Sequence, residues 1–539
     1  MRNFFILLLT SILSIPAFAQ NGKLDKFDEV YLYVNRFYVD PVHADKLLDS
    51  SVMALKSRNQ LDSAIVLMLE KLDPHSTFIP KEEVDQANQS IQGSFVGIGI
   101  RYQLMKDTFT VLQTIPGGPS EKVGLLPGDQ LVIVDQDTIA GKGLKTTAIR
   151  EKLMGDKGTK VRVFVKRKGV SGLIQFTIVR DKIPINSVDA AYMIDKTIGY
   201  IKLNSFSHTT TQEMEKAILM LRAQGMKDLI LDLQNNGGGL LRAAHELVDN
   251  FLSGNKLIVY SEGRAQPRQD LNTLKRDLFE NGRLVILTNE HSASASEIVS
   301  GAVQDWDRGL VVGRRTFGKG LVQRPIPISD GSELRLTIAR YFTPTGRFIQ
   351  KPYEEVDDYR KDLSNRYDHG EYYHKDSIKL DEKLAVKTLI KGRKVYGGGG
   401  VMPDVFVPLD TTDVTPFYTQ LIRKGAIYQY ATRYMNANRE QLMKKYPTLD
   451  KFMKDFKTDK EFMDAFFAFA KEEHEIEFNA VEYEPSKKTI QMYMRAYIGQ
   501  NLYDPSAFYV ISNEGNEILQ RAIQTLQTNE YKQAGLDNK

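Results

Sequence analysis

The sequence of 539 residues contains no cysteine. Disulfide bonds, cysteine-ligated metal sites, a thiol nucleophile and a lipoprotein anchor are therefore excluded. Neither sign of charge is in excess, because 72 Lys and Arg stand against 68 Asp and Glu, and we expect no nucleic acid as a partner. No H-E-x-x-H motif or comparable ligand spacing is present, so we expect no metal and no other cofactor.

Long apolar runs are also missing, apart from FFILLLTSIL near the amino terminus. That run is short for a membrane span, follows Arg2 and precedes the small-x-small pattern Ala17-Phe18-Ala19. These features predict a signal peptide over residues 1–19 and a mature chain that begins at Gln20, with an uncleaved membrane anchor as the alternative. We therefore expect an exported, periplasmic protein with no integral membrane segment after cleavage; release outside the cell is the other destination.

Hydrophobic spacing divides the first third of the chain into two segments. Over residues 20–88, LDKFDEVYLYVNRFYV and LDSAIVLMLEKL place apolar residues at helical spacing, until Asp73-Pro74 ends the pattern. Over residues 89–184, short β runs such as FVGIGIRY and KVRVFVKR are separated by Pro-Gly turn signals. The sequence thus predicts an N-terminal helical segment followed by a β-domain.

Strand and helix patterns alternate over residues 185–350. TIGYIKL, DLILDLQ and RLVILTN are typical of buried strands, and a helix is expected from about Thr211 to Gly225. A second helix is expected after the loop Gly237-Gly238-Gly239. This alternation indicates an α/β layer architecture.

The remaining chain departs from this alternation. Residues 351–395 are rich in Tyr, Asp, Glu and Lys and have little apolar periodicity, which indicates an insertion or a solvated lid. The segment 411–539 has helical spacing and many aromatic residues, which predicts a packed helical extension, with an oligomerisation surface as the alternative.

The stretch HSASASEIVSGAVQD carries the first candidate chemistry. Ser292, Ser294 and Ser296 lie between a β run and the start of a helix, where unpaired N–H groups and the positive end of the helix dipole are found. A serine oxygen placed there could attack a carbonyl while a neighbouring N–H stabilises the oxyanion. The serines could equally serve only as caps of the helix.

A nucleophilic serine needs a base, and the chain has only eight histidines. His291 is on the same turn as the serines, and His245 follows the glycine loop without further support. Lys319, between Gly318 and Gly320, is a further candidate, since Ser–Lys pairs are an established variant of the catalytic triad. Such a lysine must be neutral, which requires burial to lower its pKa by several units from about 10.4.

Together these segments resemble the C-terminal processing peptidases, the tail-specific Ser–Lys proteases of the S41 class. The resemblance is carried by SASASEIVSGAVQD at 292–305, RTFGKGLVQ at 315–323, DLQNNGGGLL at 232–241, YFTPTGRFIQ at 341–350 and GGGGVMPDVFV at 397–407. It covers about residues 24–410. It implies a multidomain α/β protein with a ClpP/crotonase-like peptidase core, in which residues 396–410 supply the closing strand.

The resemblance also implies a role for several residues of the core. Ser294 matches the nucleophile, Lys319 the general base and Gln323 the residue that orients the lysine. The oxyanion donors would be the N–H of Ala295 and one from Gly238 or Gly239. Asp305 matches a position close to the site and is expected to support it. Gln234 stands where Arg is common in the family, so a contact made by that Arg is in doubt.

The β-domain resembles a PDZ domain, with VGIGI as its carboxylate-binding loop. The resemblance implies that the backbone of this loop binds the C-terminus of a substrate through the residues Phe95, Val96, Gly97, Ile98, Gly99 and Ile100. The two resemblances together imply a serine endopeptidase that acts on exported proteins or peptides with apolar C-termini. A PDZ scaffold with an inactive or partner-activated core remains the alternative, and a homo-oligomer or an adaptor protein is left open.

Overall fold

The computed structural model describes residues 25–105, 107–115 and 117–536. The predicted signal peptide, residues 1–19, lies outside this part of the chain. The described residues form two compact units. The smaller unit contains the described residues up to Val84 together with 263–267 and 322–339, and the larger unit contains residues 85–262, 268–321 and those from 340 onward.

The helices and strands are numbered along the chain. The helices are α1 (Lys26–Phe37), α2 (Ala44–Leu47), α3 (Ser50–Ser57), α4 (Leu61–Glu70), α5 (Lys81–Gln92), α6 (Pro119–Lys122), α7 (Thr146–Leu153), α8 (Thr210–Ala223), α9 (Leu241–Val248), α10 (Ala295–Asp305), α11 (Val356–Asp368), α12 (Pro416–Arg423), α13 (Ala426–Lys445), α14 (Leu449–Asp455), α15 (Lys460–His474), α16 (Ala480–Leu502), α17 (Ser506–Ser512), α18 (Glu517–Gln527) and α19 (Glu530–Gln533). The strands are β1 (Thr77–Ile79), β2 (Ser94–Gly97), β3 (Ile100–Met105), β4 (Thr108–Thr114), β5 (Gln130–Val134), β6 (Asp137–Thr138), β7 (Lys160–Lys166), β8 (Ile174–Val179), β9 (Asp181–Pro184), β10 (Val188–Met193), β11 (Ile198–Leu203), β12 (Asp228–Asp232), β13 (Leu257–Gly263), β14 (Gln266–Asn272), β15 (Leu284–Thr288), β16 (Leu310–Gly313), β17 (Leu321–Pro327), β18 (Glu333–Phe342), β19 (Ala385–Lys387), β20 (Lys394–Tyr396) and β21 (Val405–Phe406).

In the smaller unit, α1 to α4 surround an apolar core. Phe27, Val30 and Val34 are buried at helical spacing along α1, as the sequence pattern predicts. Strand β1 pairs antiparallel with the first residues of β18, which bring Leu334 and Leu336 into the same core.

The larger unit begins with a β-domain. Its antiparallel sheet has the order β3-β4-β5-β7-β8, with β6 paired to β5. Val161, Val163 and Val165 of β7 are buried at every second position, and Ile149 of α7 joins the same core. Strand β3 lies at the edge of this sheet, beside β4.

The centre of the larger unit is a six-stranded sheet in the order β10-β11-β12-β15-β16-β21. Strand β10 is antiparallel to β11, and the other neighbouring pairs are parallel. Strands β11, β12, β15 and β16 are buried along their whole length, which explains why their sequences are largely apolar. Because parallel strands end at one edge, the loops that follow β12, β15 and β16 meet there.

Helix α18, near the C-terminus, packs against this sheet. Ile518, Leu519, Ala522 and Leu526 of α18 form one buried cluster with alternate residues of the central strands, including Ile230, Val285, Leu287, Leu310 and Val312. Helices α12 to α17 form a second cluster, rich in Phe and Tyr. The expected fold class, a multidomain α/β protein with a helical C-terminal region, is confirmed.

Residues 351–395 contain α11 and the hairpin β19-β20. Tyr359, Arg366, Glu371 and Tyr372 of this segment are buried. Three of its charged side chains, those of Lys351, Arg366 and Glu371, are buried, whereas most of the others are exposed. The buried ones form ion pairs with Asp362 and Arg315.

Candidate active site

The three serines of the loop after β15 differ in exposure. Ser292 and Ser296 are fully buried, and their hydroxyl groups donate to the carbonyl oxygens of Leu233 and Asn236, at 2.8 Å each. These two serines therefore anchor the loop to the glycine-rich segment after β12. Ser294 is only half-buried, so it is the one of the three whose side chain a substrate could reach.

The backbone of Ser294 is strained. Its φ is 55° and its ψ is −111°, a combination that L-residues rarely adopt. Such a conformation costs on the order of 1–3 kcal/mol and persists only where the surroundings enforce it. Ser294 immediately precedes α10, whose first N–H belongs to Ala295. The strained turn thus places the serine at the positive end of a fully buried helix.

Glu297 joins the segment that carries Ser294 to the segment that carries Lys319. Its buried carboxylate accepts the N–H groups of Ser294 at 2.8 Å, Gly318 at 2.7 Å and Lys319 at 2.8 Å. It also accepts the hydroxyl of Thr316 at 2.5 Å. One carboxylate therefore fixes both segments, a role that the sequence analysis missed. The Ser294-x-x-Glu297 spacing, half of a capping box, was the available signal.

Tyr341 of β18 makes a second connection between the same segments. Its hydroxyl lies 3.0 Å from the carbonyl oxygen of Ser294 and 2.5 Å from that of Lys319. The hydroxyl has one proton, so it donates a hydrogen bond to one of these two carbonyl oxygens at a time. Burial raises the pKa of Tyr341 well above its ordinary value, so the hydroxyl stays protonated. Both residues of the predicted catalytic pair are thus held by shared partners.

The turn that carries Lys319 depends on Gly318. Gly318 has a φ of +90°, and a Cβ there would lie 3.2 Å from backbone atoms of Gly399 and Gly400. A side chain at this position would therefore be both strained and crowded. The neighbouring Gly320 donates its N–H to Gln350 Oε1 at 2.8 Å. Lys319 itself is half-buried.

The glycine loop after β12 lies against the serine turn. Gly238 has a φ of +100°, and a Cβ added to it would be 2.8 Å from Ser294 Cβ and 2.9 Å from the nitrogen of Ala295. The N–H of Gly238 already donates to Asn236 Oδ1 at 2.9 Å. The N–H groups of Gly239 and Ala295 have no acceptor among the residues that the structure describes. Gly239, rather than Gly238, is therefore the better candidate for the second oxyanion donor.

A buried ion pair supports the base of the glycine loop. Lys202 Nζ lies 3.2 Å from Asp232 Oδ1 and donates to the carbonyl oxygen of Gln234 at 2.5 Å. The side-chain amide of Gln234 donates to Asp232 Oδ2 at 3.2 Å and to Asn516 Oδ1 at 3.4 Å. Lys202 supplies the positive charge beside Asp232, and Gln234 contacts Asn516 of the C-terminal extension.

The two remaining predicted site residues of the core are Asp305, which lies away from the serine turn, and Gln323, which lies in the smaller unit. Asp305 is the last residue of α10, about 15 Å along the helix from its start. It is fully buried and forms an ion pair with Arg347, so any support it gives acts through the fold. Gln323 belongs to the smaller unit, where its amide donates to the carbonyl oxygen of His75.

The two histidines considered as bases have other surroundings. His245 is buried in α9, and its Nε2 donates to the carbonyl oxygen of Asn272 at 2.7 Å. His291 is largely exposed, and its nearest carboxylate is that of Glu290 at 3.9 Å. Neither contact connects a histidine to Ser294. Within the described ranges, no group of three or more His, Asp or Glu residues could hold a metal ion.

Of the six residues predicted to form the carboxylate-binding loop, two, Ile98 and Gly99, lie between the strands β2 and β3. Phe95, Val96 and Gly97 lie in β2, which pairs with β9, and Ile100 begins β3. The loop between the strands is fixed through its carbonyl oxygens. That of Gly99 accepts the N–H of Ile115 at 2.9 Å, and that of Ile98 accepts the N–H of Ser120 at 3.0 Å and its hydroxyl at 2.6 Å.

The N–H groups of this loop are available. Those of Ile98 and Gly99 have no acceptor in the described part of the chain, and the loop opens onto the edge strand β3. Adjacent unpaired N–H groups are suited to an anion such as a terminal carboxylate. An edge strand offers the main-chain groups to which an extended peptide can add.

Replacing Glu297 by Gln is expected to change how stability depends on pH. Burial raises the pKa of the Glu297 carboxyl from 4.5 to about 7, against the effect of the hydrogen bonds it accepts. Its contribution to stability is therefore complete below about pH 4.5 and is lost as the pH rises through about 7. The two pKa values differ by the equivalent of about 3 kcal/mol.

The measurement is the thermal midpoint of the wild type relative to Glu297→Gln between pH 4.5 and 8. The wild type should lose its advantage over the variant as the pH rises. A difference between the two proteins that stays constant across this range would contradict the role of the buried carboxyl.

A model of peptidase family S41 matches residues 197–358, and a PDZ-domain model matches residues 96–178. A model of a family of unknown function matches residues 417–504, within the helical extension. No helix in the described ranges is both long and apolar enough to span a membrane.

Similar proteins include two bacterial proteases. A probable CtpA-like serine protease of Staphylococcus epidermidis is 30% identical over 410 residues, which cover 73% of this chain and 79% of the relative. The carboxy-terminal processing protease CtpA of Bacillus subtilis is 31% identical over 368 residues, which cover 65% and 75%. A solved photosystem II D1 C-terminal processing protease matches with 27% identity and a TM-score of 0.39, covering 72% of this chain and 93% of that one.

Proposed function

This chain belongs to the carboxy-terminal processing proteases of peptidase family S41 and is a serine-type peptidase with a PDZ domain, and we propose that it cleaves proteins by a Ser294–Lys319 mechanism after capturing their C-termini. The observation that carries the proposal is the connection of Ser294 and Lys319 through Glu297. The hydrogen bonds to Glu297 hold a strained, half-buried serine and a half-buried lysine on adjoining loops.

The mechanism follows from these positions. Neutral Lys319 takes the proton from the Ser294 hydroxyl, and the serine oxygen attacks the carbonyl carbon of the scissile peptide bond. The N–H groups of Ala295 and Gly239 donate to the oxyanion that forms. Lys319 then returns the proton to the leaving amine. Water, deprotonated by Lys319, hydrolyses the acyl-enzyme and restores Ser294.

Substrate selection is assigned to the PDZ domain. The N–H groups of Ile98 and Gly99 bind the terminal carboxylate of the substrate, and the peptide extends along β3 as an added strand. Apolar residues around the loop favour an apolar last side chain. This arrangement directs proteolysis to proteins that present a free C-terminus.

The substrates are proposed to be exported proteins. The support is the N-terminal sequence, in which Arg2, the run FFILLLTSIL and Ala17-Phe18-Ala19 have the order of a signal peptide. A periplasmic location fits a cleaved signal, and the reaction needs neither nucleotide nor metal.

Amidation of the substrate tail is expected to slow cleavage. A hydrogen bond to a charged group contributes about 1.5–3 kcal/mol, so loss of the carboxylate charge should raise KM about 10–100-fold. The test compares an unstructured protein with an apolar C-terminus in its free and amidated forms, cleaved by residues 20–539. Ser294→Ala is the control and should not cleave either form. Equal KM values for the two forms would refute carboxylate capture, and cleavage by Ser294→Ala would refute the assigned nucleophile.

A further inference from the structure

Helix α11 of the insertion packs on the segment that carries Lys319. The side chain of Arg366 is 3% exposed and donates to the carbonyl oxygen of Thr316 at 2.8 Å and to that of Phe317 at 3.1 Å. These are consecutive carbonyl groups just before Gly318-Lys319. A planar guanidinium that bonds two successive carbonyls fixes both the position and the orientation of the backbone between them.

Arg366 is itself held in place. Its Nε lies 3.0 Å from Asp362 Oδ2, one helical turn earlier. The same carboxylate accepts Lys351 Nζ at 2.9 Å, and the side chain of Lys351 is also 3% exposed. The N–H of Lys351 donates to the carbonyl oxygen of Gly318 at 3.0 Å. Arg366 and Lys351, joined by the half-buried carboxylate of Asp362, thus make three hydrogen bonds to the backbone of the lysine-bearing turn.

Aromatic contacts close the space around this group. Lys351 Nζ lies 4.0 Å from the ring centre of Phe317 and 4.1 Å from that of Tyr359. Phe317 belongs to the lysine-bearing segment and Tyr359 to α11, and the two rings meet edge to face at 6.1 Å. The ammonium group is therefore enclosed between the insertion and the active-site loop.

The other half of the insertion is attached to the end of α10. The N–H groups of Ile390 and Lys391 donate to Asp307 Oδ2 at 3.0 and 2.8 Å, and Arg393 Nε donates to Asp307 Oδ1 at 2.7 Å. The N–H of Leu389 donates to the carbonyl oxygen of Asp305. The insertion therefore contacts the lysine-bearing segment at one end and the C-terminal end of the nucleophile's helix at the other.

We propose that Arg366 is a positioning residue for the general base, and that the insertion, residues 351–395, is a fixed part of the catalytic frame. Arg366 acts through the backbone of Thr316 and Phe317 and does not touch the substrate. This inference rests on the proposed Ser294–Lys319 mechanism, because it assigns to Arg366 the placement of Lys319. The residue lies in a charged segment outside the motifs of the family resemblance, so its role had no signal in the sequence.

The test compares Arg366→Met and Arg366→Lys with Lys361→Met, a substitution at an exposed position of the same helix. Methionine retains most of the volume of the side chain but none of its donors. A misplacement of about 1 Å can cost about 100-fold in rate, so kcat of Arg366→Met should fall about 100-fold. KM for a substrate captured by its C-terminus should stay within about twofold, because the PDZ loop is unchanged.

The lysine variant separates positioning from simple loss of stability. Lysine keeps the ion pair with Asp362 but cannot bond both carbonyls, so we expect a kcat between those of Arg366→Met and the wild type with an unchanged thermal midpoint. Lys361→Met should match the wild type. A kcat of Arg366→Met or Arg366→Lys equal to the wild type, or a rise in KM that accounts for the whole loss, would overturn the proposal. Ser294→Ala is assayed alongside: if it cleaves, the proposed function fails, whereas a wild-type rate in Arg366→Met with an inactive Ser294→Ala rejects only the positioning role.

Discussion

Substitution of Gly238 by Ala is expected to lower kcat by at least about 100-fold. The added Cβ would lie 2.7 Å from the carbonyl oxygen of Ala293, 2.8 Å from Ser294 Cβ and 2.9 Å from the nitrogen of Ala295. The methyl group would therefore occupy the space in which the oxyanion forms. Loss of one oxyanion donor typically costs about 10²–10³ in kcat, and a positive φ at alanine adds backbone strain.

The neighbouring glycine provides a matched control. A Cβ at Gly237 would meet no atom within 4 Å, so Gly237→Ala should retain kcat within about twofold. Initial rates with one peptide substrate, together with the thermal midpoints of both variants, make the comparison. Equal activity of the two variants would mean that the glycine loop does not border the reacting carbonyl.

The C-terminal extension is expected to be required for folding of the peptidase core. Leu519 is 2% exposed and lies in the cluster that α18 forms with the central sheet. Replacing it by Asp removes about 2–3 kcal/mol of apolar burial and places an unpaired charge against the sheet, which costs several kcal/mol more. A loss of this size exceeds most single substitutions and should leave little folded protein.

Gln524→Asp is the control for this prediction, because Gln524 is exposed on the same helix. It should remain soluble, with a thermal midpoint close to that of the wild type. The measurement is the soluble yield and thermal midpoint of each variant. If Leu519→Asp folds and cleaves like the wild type, the extension is an appendage rather than a layer of the core.

The fold could be predicted where the chain obeys simple periodicity. The buried strands β11, β12 and β15 have largely apolar sequences, and α8 ends at Ala223, two residues before the expected stop at Gly225, which has a positive φ of 97°. The spacing of apolar residues predicts the C-terminal helices. It does not predict that α18 packs on the central sheet, because helical spacing gives no information about the partner of an apolar face.

The site could be predicted only in part, for a related reason. Ser294 and Lys319 follow from short motifs, but the strained backbone of Ser294 depends on contacts from distant segments. Glu297 looks like an ordinary helix residue until the fold brings the lysine-bearing turn onto its carboxylate. Arg366 is one of many charges in a segment without periodicity. Residues that act through long-range hydrogen bonds leave little trace in local sequence.

The pairing of Ser294 with Lys319 is tested most directly by the rate at which a fluorophosphonate phosphonylates the serine, with fluoride as the leaving group. The probe reacts with an activated serine hydroxyl and needs no peptide substrate, so the rate does not depend on capture of a peptide C-terminus. General-base assistance contributes about 10²–10⁴-fold, and Lys319→Met should therefore lose at least about 100-fold in labelling rate while its thermal midpoint is retained. We predict that peptide mapping locates the label on Ser294 of the wild type. Labelling of Lys319→Met at the wild-type rate, or a label on Ser292 or Ser296, would contradict the mechanism.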